Sequence, residues 1–293
     1  MTENKYNEKY ITMCQNMRKR KTLNKKNQAL SEISQMMAML GYKSDLVDMK
    51  NMSGKSMISY KKDDFKYLIV ADYNVRDVMY LNCRQKINGQ SENNRNQLLN
   101  LTLILIATLI VAICGVYIVF KLGSQNKIYI IIGALVILLS LLIPRRQDMF
   151  NASKNAALYF VFEVAKQLEN DEVAFCFVNE TGNEQGLTNI EKEYPNIIKI
   201  YINQISNEDG LYIKVKRIKD IYENIRDLKS DNLKIDYEKN ENDDCLIRQF
   251  SKGILITTCD LDTLTCKMPG TVDDETNLDR IDQIIEIIKK MKG

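Results

Sequence analysis

The side chains available for chemistry are bounded first by a gap: the chain contains no histidine. That removes the commonest general base near neutral pH and the commonest zinc ligand. Acid–base or metal chemistry would have to run on carboxylates, amides, thiols or lysines. Seven cysteines, an odd number, are scattered without a Cys-x-x-Cys pair and read as free thiols of a reducing compartment. Cys245, Cys259 and Cys266 could suggest a thiolate cluster, but zinc spacing is absent, and isolated cysteines behave as small core residues. Asn179-Glu180-Thr181-Gly182 reads as a turn, and no glycine loop of the kind that cradles phosphate is present. A net charge of +3 over 293 residues is too small to imply a nucleic-acid partner.

The stretch that dominates the chain is apolar. Leu98–Phe120 (LLNLTLILIATLIVAICGVYIVF) holds roughly 23 residues without a charge, enough to cross a hydrocarbon core of about 30 Å. A second run, Ile128–Ile143, stops at Pro144-Arg145-Arg146. Together they predict a two-helix transmembrane hairpin over 98–144, with spans at 98–120 and 128–144, because a chain that crosses must return. Arg84, Lys86 and Arg95 precede it and Arg145, Arg146 and Lys154 follow, whereas the connection carries Lys121 and Lys127. The bias of cytoplasmic flanks towards Lys and Arg predicts a multi-pass protein of the cell membrane with both termini and the polar segments cytoplasmic. The N-terminal MTENKYNEKYITM has no apolar signal-peptide core. Ala107, Ala112, Gly115, Gly133 and Ala134 are small enough for close helix packing.

Around the hairpin the pattern alternates between strands and helices. Residues 1–28 form a basic N-terminal segment, with Arg18, Lys19, Arg20, Lys21, Lys25 and Lys26; it is either a solvated tail or a contact for anionic lipid. Leu30, Ile33, Met36, Met37 and Leu40 recur at helical spacing before Gly41, a C-cap residue. Strands are expected at 42–49, 56–60 and 66–72, the last (KYLIVAD) central, then at 171–178, 197–205, 211–215, 233–237 and 253–258. Helices are expected at 151–168, 218–228 and 277–291, the last from Leu278, Ile281, Ile284, Ile285 and Ile288. This order predicts an α/β sandwich about a largely parallel, mixed sheet, made of residues 29–97 and 145–293 and interrupted by the hairpin.

In that order, VADYNVRD, NASKNAALYFVFEVAKQL and VAFCFVNETGNEQGL resemble the zinc aminopeptidases of the aminopeptidase Y family (metallopeptidase clan MH). NAS…AAL…E.A..L and NEQGL carry most of the likeness; KMPGTVDDETNLDRID matches more loosely. The resemblance implies an aminopeptidase-like sandwich and a site of two zinc ions bridged by one carboxylate, with a glutamate as base. Position by position, the first histidine falls on Asp72 and its companion aspartate on Asn74. The bridging aspartate falls on Phe150, the base on Asn183, and the adjacent ligand survives as Glu184. The next aspartate ligand falls on Asn203, and the last histidine on about Lys267.

Phenylalanine offers no lone pair, an asparagine amide is no base near neutral pH, and lysine brings positive charge where a cation should sit. The resemblance therefore implies a lost zinc site, no cofactor and no catalytic residue. Asp72, Asp148 and Glu184 remain as oxygen donors for a hard cation such as Mg²⁺ or Ca²⁺, or as groups hydrogen-bonded at the former pocket mouth. Two functional readings are open. One is an inactive, membrane-anchored scaffold that binds a peptide or another membrane protein at the cytoplasmic face. The other is a metal-dependent peptidase or hydrolase with a rearranged site. A third, weaker reading is a structural subunit whose spans pack against other helices.

Overall fold

Strands with apolar residues on both faces must lie at the centre of a sheet covered on both sides, and that is where the runs YLIVAD and VAFCFV are found. They form β3 (Tyr67–Asp72) and β5 (Val173–Val178), and β5 is buried at every position. The computed structural model describes residues 23–47, 55–73, 84–122, 128–142, 152–168, 172–179, 185–208, 210–239, 245–267, 278 and 280–292. Its eight-stranded sheet has the order β1-β2-β5-β3-β6-β9-β7-β8. The other members are β1 (Lys43–Val47), β2 (Ser56–Tyr60), β6 (Ile198–Ile202), β7 (Gly210–Lys216), β8 (Leu233–Glu238) and β9 (Gly253–Cys259). The central four, β5-β3-β6-β9, are mutually parallel. β1 and β2 add antiparallel on one side, and β7 pairs antiparallel with β9 but parallel with β8 on the other.

Alternation along each strand divides the interior into two cores. Ile69, Phe175, Ile200, Ile213 and Ile254 face α1 (Leu23–Met39), α4 (Ala152–Gln167), α6 (Lys219–Ile225) and α7 (Arg280–Met291). Leu68, Val70, Cys176, Tyr201 and Leu255 face α5 (Gln185–Glu193) and the turn that carries Leu246, Ile247 and Phe250. α7 buries Ile281, Ile284, Ile285 and Ile288, the stripe expected of a helix laid on a sheet. Gly41 ends α1 at φ +82°, a left-handed conformation open to glycine without a Cβ clash, and the Tyr42 N–H returns to the Met37 carbonyl at 3.0 Å.

α1 begins at Leu23, seven residues before Leu30, where the apolar spacing starts, and Lys26 is buried in it. Two further elements had no local signal: β4 (Arg84–Lys86) and β10 (Thr265–Lys267), which pair with each other as a separate antiparallel ribbon.

The apolar stretch forms α2 (Gln90–Tyr117), continued as a π-helical turn Ile118–Leu122, and α3 (Ile128–Leu142). The two pack antiparallel at glycines. A Cβ on Gly115 would fall 2.6 Å from Ile137 Cγ1, and one on Gly133 would fall 2.5 Å from Val119 Cγ2. Outward the pair shows Leu105, Leu109, Ile113, Phe120 and Ile131. By length and composition one helix among the described residues, Leu101–Lys121, can cross a membrane. α3, at 15 residues, is shorter than the roughly 20 a crossing helix needs.

Candidate functional site

In an open parallel sheet the carboxyl ends of the strands leave a crevice where side chains converge. Here that edge collects the ends of β3, β5, β6 and β9. Asp72 closes β3 opposite Val178, and Asn203 directly follows β6, whose Ile202 lies beside Ala71. Asp72 and Asn203 therefore end neighbouring strands, and the two-residue period places both on the face of Leu68, Val70 and Tyr201. Each is 2% exposed.

Asn203 acts here as a donor. Its backbone N–H continues the ladder to the Ile256 carbonyl at 3.1 Å. Its side-chain nitrogen donates to Thr257 Oγ1 at 3.3 Å and to the Cys266 thiol sulfur at 3.8 Å. Cys266 sits on β10, so the structure brings the segment with Lys267 to the same edge as Asp72 and Asn203. Asn74, Asp148, Phe150, Asn183 and Glu184 lie outside the described residues.

Cys176, Cys245, Cys259 and Cys266 are buried as core residues. Cys259 and Cys266 flank the β9–β10 connection, closed by the Asp260–Thr265 bridge. Burial, reinforced by Cys266 and Glu208 nearby, pushes the Cys259 thiol up to about 12, so no thiolate forms there near neutral pH. Burial also pushes up the Cys176 thiol. Among the described residues no group of three or more His, Cys, Asp or Glu side chains is placed to hold a metal ion.

A concavity lies farther along the edge, past β9. Arg84, Glu208, Gly210, Asp231, Cys259 and Asp260 contribute to the lining of a space of about 450 Å³. Arg84 pairs with Glu208 at 2.6 Å and bonds Thr265 through Nε at 2.7 Å. The Asp260 carboxylate accepts the N–H groups of Asp262 and Thr263 at 3.0 and 3.1 Å. The Thr263 amide, foremost, holds the Asp260 pKa below the usual carboxylate range. These acids are engaged in turn and ribbon geometry.

Sequence reasoning missed four buried lysines among the described residues, Lys199, Lys26, Lys214 and Lys216. Lys199, on β6, is fully buried with its ammonium 2.5 Å from Glu191 of α5, whose other oxygen accepts the backbone N–H of Ser251 at 3.0 Å and its hydroxyl. Lys26 reaches the end of β5 and donates to Asn179 Oδ1 at 3.0 Å. A lysine inside the otherwise apolar run IIKIYI was the available signal for the first; a charge in a polar segment gave none for the second.

No protein-family model matches the chain, and no curated protein sequence matches it. Solved structures do. A leucine aminopeptidase precursor from Bacteroides thetaiotaomicron is similar with a TM-score of 0.53 at 10% identity, over 96% of this chain and 94% of that one. Porphyromonas gingivalis glutaminyl cyclase gives 0.53 at 9% identity, over 97% and 96%. A Zn-dependent exopeptidase from Parabacteroides distasonis gives 0.52 at 9%, over 95% and 94%. At such identities the likeness is one of fold: a mixed α/β sandwich of the aminopeptidase-like kind.

Proposed function

We propose that this chain is a membrane-anchored, aminopeptidase-like protein that has lost hydrolysis and binds a peptide or a protein segment at the cytoplasmic membrane face. One observation carries the reading. At the strand end where the resemblance calls for a carboxylate ligand, Asn203 presents an amide nitrogen that donates to Thr257 and Cys266. A zinc ion needs lone pairs and negative charge from its ligands, and an N–H group turned into the site supplies neither. Of the described residues at the matched positions, Asp72 is the carboxylate. The donor set does not fit a pair of zinc ions, and no hydrolytic step is derived through them. A strand-edge crevice without chemistry still offers a place for a chain segment.

Anchoring is supported by the outward apolar surface of α2 and α3, where Leu105, Leu109, Ile113, Phe120 and Ile131 are exposed. In this reading both helices enter the bilayer, and the basic flanks stay on the side of the α/β domain. Asp72 is the observation that favours the alternative, a metal-dependent hydrolase with a rearranged site, because a buried carboxylate survives at the end of a central strand.

The test uses full-length protein in nanodiscs, mixed with fluorescent peptides of random sequence and free termini. Saturable anisotropy with peptide mass unchanged after prolonged incubation is the expected result. Cleaved peptide would establish the hydrolase instead, and neither binding nor cleavage would leave the chain as a structural membrane subunit.

A further inference from the structure

The apolar helix pair leaves the α/β domain through a junction that is built rather than linked. β4 uses one of its edges to pair with β10: the Ile87 N–H, just beyond β4, bonds to the Leu264 carbonyl at 3.0 Å. The alternation of a strand then turns the N–H and C=O of Lys86 to the other side, where among the described residues no strand follows. Asn93, in the first turn of α2 and fully buried, takes that place. Its Oδ1 accepts the Lys86 N–H at 2.9 Å and its side-chain nitrogen donates to the Lys86 carbonyl at 2.7 Å. One amide satisfies both backbone groups, as a neighbouring strand would.

Three further features close the same corner. Ile87 is fully buried in the core. Lys214 of β7 donates to Asn88 Oδ1 at 3.0 Å, tying the turn to the main sheet. Gly89 lies so close to Lys86 that a Cβ there would meet its Cβ at 2.8 Å. From Gln90 the helix then runs without interruption to Tyr117.

We infer that Asn93 is a positioning residue that makes this corner a rigid joint, fixing the angle between the apolar helix pair and the sheet. The same ribbon carries Cys266 against Asn203, so the helix pair and the carboxyl-end crevice move as one body. A flexible tether would instead need a polar, unpaired linker between β4 and α2, and the turn of Ile87, Asn88 and Gly89 is neither long nor unpaired.

The joint is tested by the distance between spin labels at Leu105→Cys on α2 and Asp227→Cys on the α/β domain. The measurement uses the full chain in detergent, with Cys14, Cys83 and Cys114 replaced by serine. One narrow distribution is expected for the parent, with at least a twofold broadening in Asn93→Ala and a shifted mean in Gly89→Ala. Amide exchange at Lys86 should accelerate at least tenfold in Asn93→Ala, while exchange in β3 and β5 stays unchanged. A parent distribution already as broad as that of a flexible linker would overturn the inference even if the variants failed to fold. So would an Asn93→Ala protein with unaltered width.

Discussion

Glu191→Ala is expected to destabilise the domain by about 3–5 kcal/mol, the cost of stranding a buried charge by removing its partner. Lys199 has no exposure to water, and its ammonium lies 2.5 Å from Glu191. The alanine variant also strips the acceptor from the Ser251 backbone and hydroxyl. Against a total stability of roughly 5–15 kcal/mol, that loss unfolds a large fraction of molecules under mild denaturant. Lys199→Met should cost far less, because Glu191 keeps Ser251 and is partly exposed, and the thioether fills the lysine's channel. The double variant Glu191→Ala/Lys199→Met should recover more than half of the single loss. Urea midpoints in mild detergent check all three. If Glu191→Ala shifts the midpoint no more than Lys199→Met, the pair is not the buried lock described here.

Removing residues 98–142, with a short Gly-Ser bridge in their place, is expected to move the protein from the membrane pellet to the soluble fraction. The parent should stay in the pellet after alkaline washing. The apolar segment Leu98–Phe120 holds about fifteen Leu, Ile, Val and Phe residues, each favouring the bilayer centre by about 0.3–0.6 kcal/mol, which sums to roughly 5–9 kcal/mol before polar costs. Its threonines add little to those costs: Thr102 and Thr108 donate to the Leu98 and Ile104 carbonyls at 2.9 and 2.8 Å. The eight-stranded sheet draws no strand from the excised segment, so the shortened chain should retain its far-ultraviolet β signal. A parent that washes off at alkaline pH would remove the membrane from the account.

What could be read from sequence follows from where each element gets its stability. β3, β5, β6 and β9 are apolar on both faces because both faces are covered, so their runs announce them. α7 announces itself by its isoleucine stripe. β4 (RQK) and β10 (TCK) are polar three-residue strands stabilised by each other across about 180 positions of chain, so no local pattern marks them. α5 has almost no local signal, since Leu187 and Ile190 alone make a faint stripe on a nine-residue helix. The likeness of NAS…AAL and NEQGL to aminopeptidases pointed to the fold that the solved neighbours share. It could not point to the Cys266–Asn203 contact or to the amide clamp of Asn93, because both depend on a ribbon that forms only in three dimensions.

The central claim is that the metal centre of an aminopeptidase-like fold is gone from this chain, and the zinc content of the purified protein tests it most directly. Full-length protein prepared without chelator and dialysed against trace zinc should contain well under one zinc ion per chain by elemental analysis. Asp72, the carboxylate at the described matched positions, stands beside an asparagine whose amide nitrogen donates to Thr257 and Cys266, and there is no imidazole anywhere in the chain. A soft-to-borderline dication that favours nitrogen and sulfur has no reason to stay there. About two zinc ions per chain, lowered in Asp72→Ala or Glu184→Ala, would contradict the account and return the protein to the metallopeptidases.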